Sequence, residues 1–148
     1  MFNNQGKYVL ACNFDYYNEI SNIKLERIVD IEILDTDVKP ITKLKGYEKG
    51  LDIAKYVNEN FYTFGTKTIK AKLKIYTDWA LAYVDERFGK DVKFSEESGV
   101  YYATVQANES SIMYWCLQYG EAIELLEPED ARERIKKILG TMSERYKD

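Results

Sequence analysis

The passage from Ile112 to Pro128 constrains the fold more than any other, because a helix, its stop, a strand and a second stop follow one another there without a gap. Ile112, Trp115, Cys116 and Tyr119 recur at helical spacing and share one apolar face, and Gly120 falls where a left-handed terminating residue is wanted. Ile123 and Leu125 then alternate with Glu124 as a short strand. Pro128, with no amide hydrogen for a ladder, closes that strand and suits the first turn of a further helix. Ala131, Ile135, Ile138 and Met142 step along one side of this last helix, with acids at its start (Glu129, Asp130, Glu133) and bases later (Lys136, Lys137, Arg145), as the macrodipole favours. Taken singly, Trp115 and Leu125 are core residues and nothing more.

The same grammar extends upstream. Ile69, Ala71, Leu73 and Ile75 alternate with Lys70, Lys72 and Lys74, the pattern of a strand with one face on a core and one in water. Asp78 is placed to cap a helix whose Ala80, Tyr83, Val84 and Phe88 face inward and which Gly89 ends. Val92 and Phe94 open a strand, Glu96–Gly99 turns it, and Val100–Ala107 returns beside it. The order is β-α-β-β-α-β plus a terminal helix. That predicts an α+β fold, ferredoxin-like, with helices over one side of an antiparallel sheet.

The first third reads differently. Asn3–Gly6 is turn material, Tyr8–Cys12 a strand, and Met1-Phe2 the stub of a hairpin partner, so the chain reads as a piece of a longer protein. After a turn at Asp15–Asn18, Ile23, Leu25 and Ile28 alternate with Lys24 and Glu26, and Ile31–Leu34 continues as apolar sequence. Two strands, or one bent one, are expected there. Asp35–Gly50 reads as a connection, Leu51, Ala54, Val57 and Phe61 mark a short helix that Asp52 caps, and Gly65 begins the second unit. The expected division is 1–45, a partial β region; 46–66, a connector with a short helix; and 67–148, the ferredoxin-like domain.

Composition removes several function classes. The 148 residues contain no histidine, so the commonest metal ligand and the usual general base near neutral pH are missing. Cys12 and Cys116 are far apart and lie in apolar sequence, which fits buried thiols better than a zinc knuckle or a disulfide. The carboxylate pairs Glu96-Glu97 and Glu129-Asp130 sit at a turn and a helix start, where solvation and the dipole explain them. An acylphosphatase-type ferredoxin-like enzyme would want an arginine-bearing glycine loop after its first strand, and Ile75–Asp78 offers none. No enzyme, metal or cofactor is expected. The net charge of -4 argues against a surface that grips nucleic acid everywhere and leaves room for a local basic face. No apolar run reaches membrane-spanning length and no export signal is visible, so a cytoplasmic location is expected and no membrane partner.

The series of tryptophan-bearing helix, Tyr-Gly stop, alternating strand, Leu-Glu-Pro and acidic helix start resembles the C-terminal extension of bacterial WYL-domain transcriptional regulators. Tyr8-Val-Leu-Ala is similar to that family's W-Y-L-v-a strand, Ile23–Ile28 to its f-R-l-D-R-I strand, and Leu51–Val57 with Phe61–Gly65 to its connector. Lys24 and Glu26 stand where the family has arginine and aspartate, and Val9 where it has an aromatic. The resemblance implies the second half of a WYL domain, itself an Sm/SH3-like small barrel, followed by the extension. The opening barrel strands and the helix-turn-helix domain would be absent, so DNA would be met only through that absent N-terminal domain. It also implies that the WYL part senses a ligand, with nucleotides or nucleic acids as the proposed effectors.

Two sets of candidate ligand residues follow. Arg27 matches the family's second strand arginine, and its guanidinium fork suits phosphate oxygens, with Lys24 and Tyr8 beside it to hold or stack a base. The alternatives are a salt bridge from Arg27 to Glu26, Asp30 or Glu32 and a core role for Tyr8. Lys70, Lys72 and Lys74, with Lys93 and Tyr102, are placed on the uncovered face of the sheet, the layout of single-strand RNA readers. Against that stands an ordinary solvated face, with Glu124 sharing it, or a subunit contact. Three functions are therefore carried forward. The first is an effector-sensing part of a WYL-type regulator, homodimeric and non-enzymatic, taking a nucleotide or single-stranded nucleic acid. The second is a ligand-free dimerisation scaffold using the Trp115 helix or the lysine face. The third is a small-metabolite sensor with a pocket between helices and sheet.

Overall fold

A computed structural model describes residues 2–4, 6–62 and 67–147, with side chains from Gly6 onward. It divides into two compact units, Met1–Thr66 and Lys67–Asp148. The fold is α+β, with one antiparallel sheet in each unit.

In the first unit, β1 (Phe2–Asn4), β2 (Lys7–Cys12) and β3 (Ser21–Lys24) form an antiparallel sheet in that order. The hairpin partner expected at Met1-Phe2 is a strand that runs on to Asn4, so the turn after it is shorter than Asn3–Gly6. β3 does not continue through Ile28. A 3-10 turn at Leu25–Arg27 breaks it, and the second strand expected at Ile31–Leu34 is absent. Val29, Ile31, Ile33, Leu34 and Val38 are all exposed instead. Alternation confers strand potential, but a strand needs a neighbour for its backbone groups, and among the described residues that stretch has none.

The core of this unit gathers Ile20, Leu44 and Tyr56, with Ala11, Ile41, Tyr47 and Leu51 packed against it. Asp52 caps α1 (Ile53–Glu59) by accepting from the Lys55 amide, as expected. The inward residue of that helix is Tyr56, whereas Ala54 is exposed. The Tyr56 hydroxyl donates to Asn22 Oδ1 at 2.9 Å, and burial pushes the phenol up to about 12. Cys12 is half-buried, Cys116 fully so, and both are free thiols. Phe61 and Tyr62 of the connector are described; positions 63–66, including the unit start expected at Gly65, lie outside the described residues.

The second unit has the expected order: β4 (Thr68–Ile75), α2 (Asp78–Phe88), β5 (Lys93–Glu97), β6 (Val100–Asn108), α3 (Glu109–Gln118), β7 (Ile123–Glu127) and α4 (Glu129–Arg145). The sheet order is β5-β6-β4-β7, all antiparallel, which is the ferredoxin-like arrangement. β4 is an inner strand. Its Ala71, Leu73 and Ile75 are buried, together with Ala103, Val105 and Ala107 of β6 and Ile123 and Leu125 of β7, under Val84 and Phe88 of α2 and Ile112 and Trp115 of α3. The Trp115 ring meets Phe88 edge-on at 5.3 Å and Tyr119 at 5.0 Å.

Three local readings are corrected. Thr77, not Asp78, is the N-cap of α2, and Asp78 begins the helix, where its charge meets the amide end. Tyr83 is half-exposed, with its ring against Trp79 and Tyr119. α3 starts earlier than Ile112 and ends at Gln118 with Tyr119 as its C-cap; Gly120 does not take the left-handed conformation. Asn108 supplies the start, its Oδ1 accepting from the Ser111 amide at 3.0 Å.

Left-handed backbone is used at the β5–β6 turn, where Ser98 has φ 53° and Gly99 φ 78°. Both central residues with positive φ make this a type I′ connection, the twist-matched hairpin turn, and Asn-Gly fits it better than Ser-Gly. Ser98→Asn is expected to raise stability by about 0.5 kcal/mol and Gly99→Ala to lower it by about 1 kcal/mol or more, both read from urea midpoints. In the first unit, Tyr56→Phe leaves Asn22 Oδ1 without its donor and is expected to cost about 1 kcal/mol by the same measurement.

Candidate functional site

The uncovered face of the second sheet follows from the register. Antiparallel partners share a face, so Lys93, Thr104, Lys72 and Glu127 form one row across the four strands, and Ser95, Tyr102, Lys74 and Glu124 form the next. Gln106 and Lys70 extend the face along β4 and β6. The structure thus brings Lys70, Lys72, Lys74, Lys93 and Tyr102 together as the alternation implies.

The basic groups are organised around aromatic rings. Lys72 Nζ lies 5.0 Å from the centroid of the Tyr102 ring, and Lys74 Nζ lies 4.7 Å from that of Tyr76. Among the described residues, none of Lys70, Lys72, Lys74 and Lys93 is in an ion pair. Glu124 does share the face, but its carboxylate is committed elsewhere: Arg132 Nη2 donates to one oxygen at 2.6 Å and the Tyr76 hydroxyl to the other at 2.6 Å. These bonds lower its pKa from the ordinary value of 4.5, the Tyr76 donation being the largest cause and Arg132 the next. Arg132 of α4 offsets the Glu124 charge, Glu127 lies opposite Lys72 in the neighbouring row, and the four lysines outnumber these two acids, so the face is suited to an anion that also presents a flat π-surface.

Sequence reasoning missed Arg132 and Tyr76, because eight residues and a change of element separate Arg132 from Glu124 and only the packing of α4 against β7 joins them. It also missed Glu109. This residue opens α3, is 6% exposed, and receives Lys67 Nζ at 2.6 Å and Arg134 Nη1 at 2.9 Å, tying the starts of β4 and α3 to α4. An acid directly after a capping asparagine was the only sequence signal, and it pointed no further than the helix dipole.

The first-unit candidates are not brought together in the same way. Lys24 is the cross-strand partner of Val9, so Tyr8, one residue along β2, lies on the other face. Tyr8 is 56% exposed and is not a core residue. Arg27 sits in the 3-10 turn and not on a strand, exposed and outside the ion pairs of the described residues; Glu26 pairs instead with Lys7 at 3.2 Å. The salt bridge offered as the alternative for Arg27 is therefore not formed. In the helix suggested as a subunit contact, Trp115 is 4% exposed and packed within its own unit, while Tyr114 is exposed.

The Glu124 geometry makes an expected outcome about acid. A carboxylate whose folded pKa is depressed contributes stability that is present above its unfolded pKa and lost as pH falls through the folded value. Tyr76→Phe removes the principal donor, so the Glu124 carboxyl is expected to titrate closer to 4.5 by NMR. The variant's stability deficit in urea should be full at pH 7 and shrink as pH falls through the depressed titration of the Glu124 carboxyl in the folded wild type.

Among the described residues no helix is long and apolar enough to cross a membrane. No curated protein matches the sequence. Residues 67–143 match the family model of the WCX domain. The match spans the whole ferredoxin-like sheet and the helices that roof it, from the start of β4 into the last turns of α4, and takes in more than half of the sequence. The chain therefore belongs to the WCX-domain family, the C-terminal domain associated with WYL, and carries the C-terminal part of a WYL-type transcriptional regulator.

Proposed function

We propose that this chain is the effector-sensing and dimerisation part of a bacterial, cytoplasmic WYL-type regulator, and that its effector is a nucleotide or a short single-stranded nucleic acid bound on the open sheet face. The observation that carries the reading is the set of lysines interleaved with Tyr102 and Tyr76, with Glu124 neutralised beside them. A single strand offers what this face can use, a phosphate for each ammonium and a base for the ring. A duplex hides its bases and would use only the charges.

The role is regulatory and non-enzymatic, as the family is in general. An effector acts by binding one arrangement of the attached DNA-binding domains more tightly than another, so its influence is limited to that difference in affinity. Arg27, Lys24 and Tyr8 belong to a separate unit and enter this reading only as a secondary contact, since Tyr8 and Lys24 point to opposite sides of their sheet.

The test is fluorescence anisotropy with labelled oligodeoxynucleotides on the 148-residue chain across a salt series. Lys72→Ala with Lys74→Ala is expected to weaken binding about tenfold or more at low salt and to flatten the log–log salt slope by about 1.4, roughly 0.7 for each phosphate left without its ammonium partner. Tyr102→Ala should weaken binding by about 1–3 kcal/mol while leaving the slope unchanged. Arg27→Ala, in the other unit, should change affinity little. Equal affinity in wild type and the lysine variant would remove the open face from the binding site.

A further inference from the structure

β5 is the outer strand of the second sheet: β6 takes one of its edges, and among the described residues no strand pairs with the other. All five of its residues, Lys93-Phe-Ser-Glu-Glu97, are exposed, including the Phe94 ring. Edge strands are commonly protected by charge, and three of these five residues are charged. The charges here are not arbitrary in order. Lys93 and Glu97 lie at equal distances on either side of Ser95, so the strand complements itself when it is turned end for end.

The ladder fixes which backbone groups are available. A two-residue type I′ turn closes on a hydrogen-bonded pair, here Glu97 with Val100. Antiparallel pairs alternate, so Glu97, Ser95 and Lys93 direct their amides and carbonyls to β6, and Phe94 and Glu96 direct theirs outward. A second β5 running antiparallel can therefore meet this one only in registers that set Phe94 and Glu96 against outward-facing groups. Centred on Ser95, the pairing aligns Phe94 with the partner's Glu96 in hydrogen-bonded pairs and sets Lys93 opposite the partner's Glu97 on both sides of the axis. Centred one hydrogen-bonded pair away, on Glu96, it opposes identical acids. Centred on Phe94, it leaves Glu97 without a basic neighbour.

We infer that two copies of this chain associate through their β5 edges, antiparallel and centred on Ser95, making one eight-stranded sheet with both open faces on the same side. The inference rests on the dimerisation half of the reading above and not on its ligand. It gives that reading a surface: the lysine rows of the two β4 strands lie roughly 24 Å apart across five inter-strand spacings, on one continuous face. The strand is short, so the contact is small for a stable dimer and the association is reversible on dilution.

Sedimentation velocity on the 148-residue chain over a concentration series tests this. Wild type is expected to shift from monomer to dimer with concentration. Lys93→Glu alone and Glu97→Lys alone each replace two attractive cross-strand pairs by two repulsive ones and should each weaken the dimer about tenfold or more. The double variant Lys93→Glu/Glu97→Lys restores the pairing with the charges exchanged and should dimerise within about threefold of wild type. That recovery also shows that the single variants fold. A monomer at every concentration, singles that dimerise as well as wild type, or a double variant no tighter than the singles would each overturn the inference. Oligonucleotide anisotropy on wild type reports separately: a wild type that stays monomeric at every concentration and still binds overturns the β5 contact and leaves the ligand reading standing.

Discussion

The second unit depends on β4 having two incompatible faces. Ala71, Leu73 and Ile75 must leave water, while Lys70, Lys72 and Lys74 must remain in it. A strand of this kind is stable only between two others with helices on one side, and β6 and β7 supply the neighbours while α2 and α3 supply the cover. A one-residue slip of register would bury three ammonium groups and expose the core row. The same alternation that stabilises the sheet therefore determines that its other face is basic. Fold and candidate site are consequences of one pattern.

Helices adjust the charges that the pattern leaves. α4 reaches Glu124 through Arg132 and Glu109 through Arg134, so these two acids each acquire a basic partner from another element. At Glu124 the effect is felt on the open face, because an acid that would have satisfied Lys74 is taken up by Arg132 and Tyr76. At Glu109 the effect is structural. A carboxylate nearly removed from water is costly unless it is paired, and the pairing fixes where α3 and α4 begin relative to β4.

The two units differ in how much of this logic they complete. In the second, the inward rows of β4, β6 and β7 are covered by α2 and α3. In the first, Ile20, Leu44 and Tyr56 make a small core, yet Val29, Ile31, Ile33 and Leu34 have none. Ile31–Leu34 was apolar enough to be read as a strand, though less clearly than β4. The difference is that β4 has two neighbouring strands to bond with and the 29–34 stretch has no neighbour among the described residues.

The sequence alone determined the order of elements from 67 onward, the inward and outward rows of β4, and the family, because these rest on local periodicity, caps and turns, which act within a few residues. It located Lys70, Lys72, Lys74 and Tyr102 on one face for the same reason. Only the tertiary structure decided that Glu124 is neutralised by Arg132, that Glu109 is a buried clamp, that Tyr8 and Lys24 lie on opposite sides of their sheet, and that Ile31–Leu34 is not a strand. Each of those depends on which distant segments become neighbours, and periodicity states which way a side chain faces but not what it meets there.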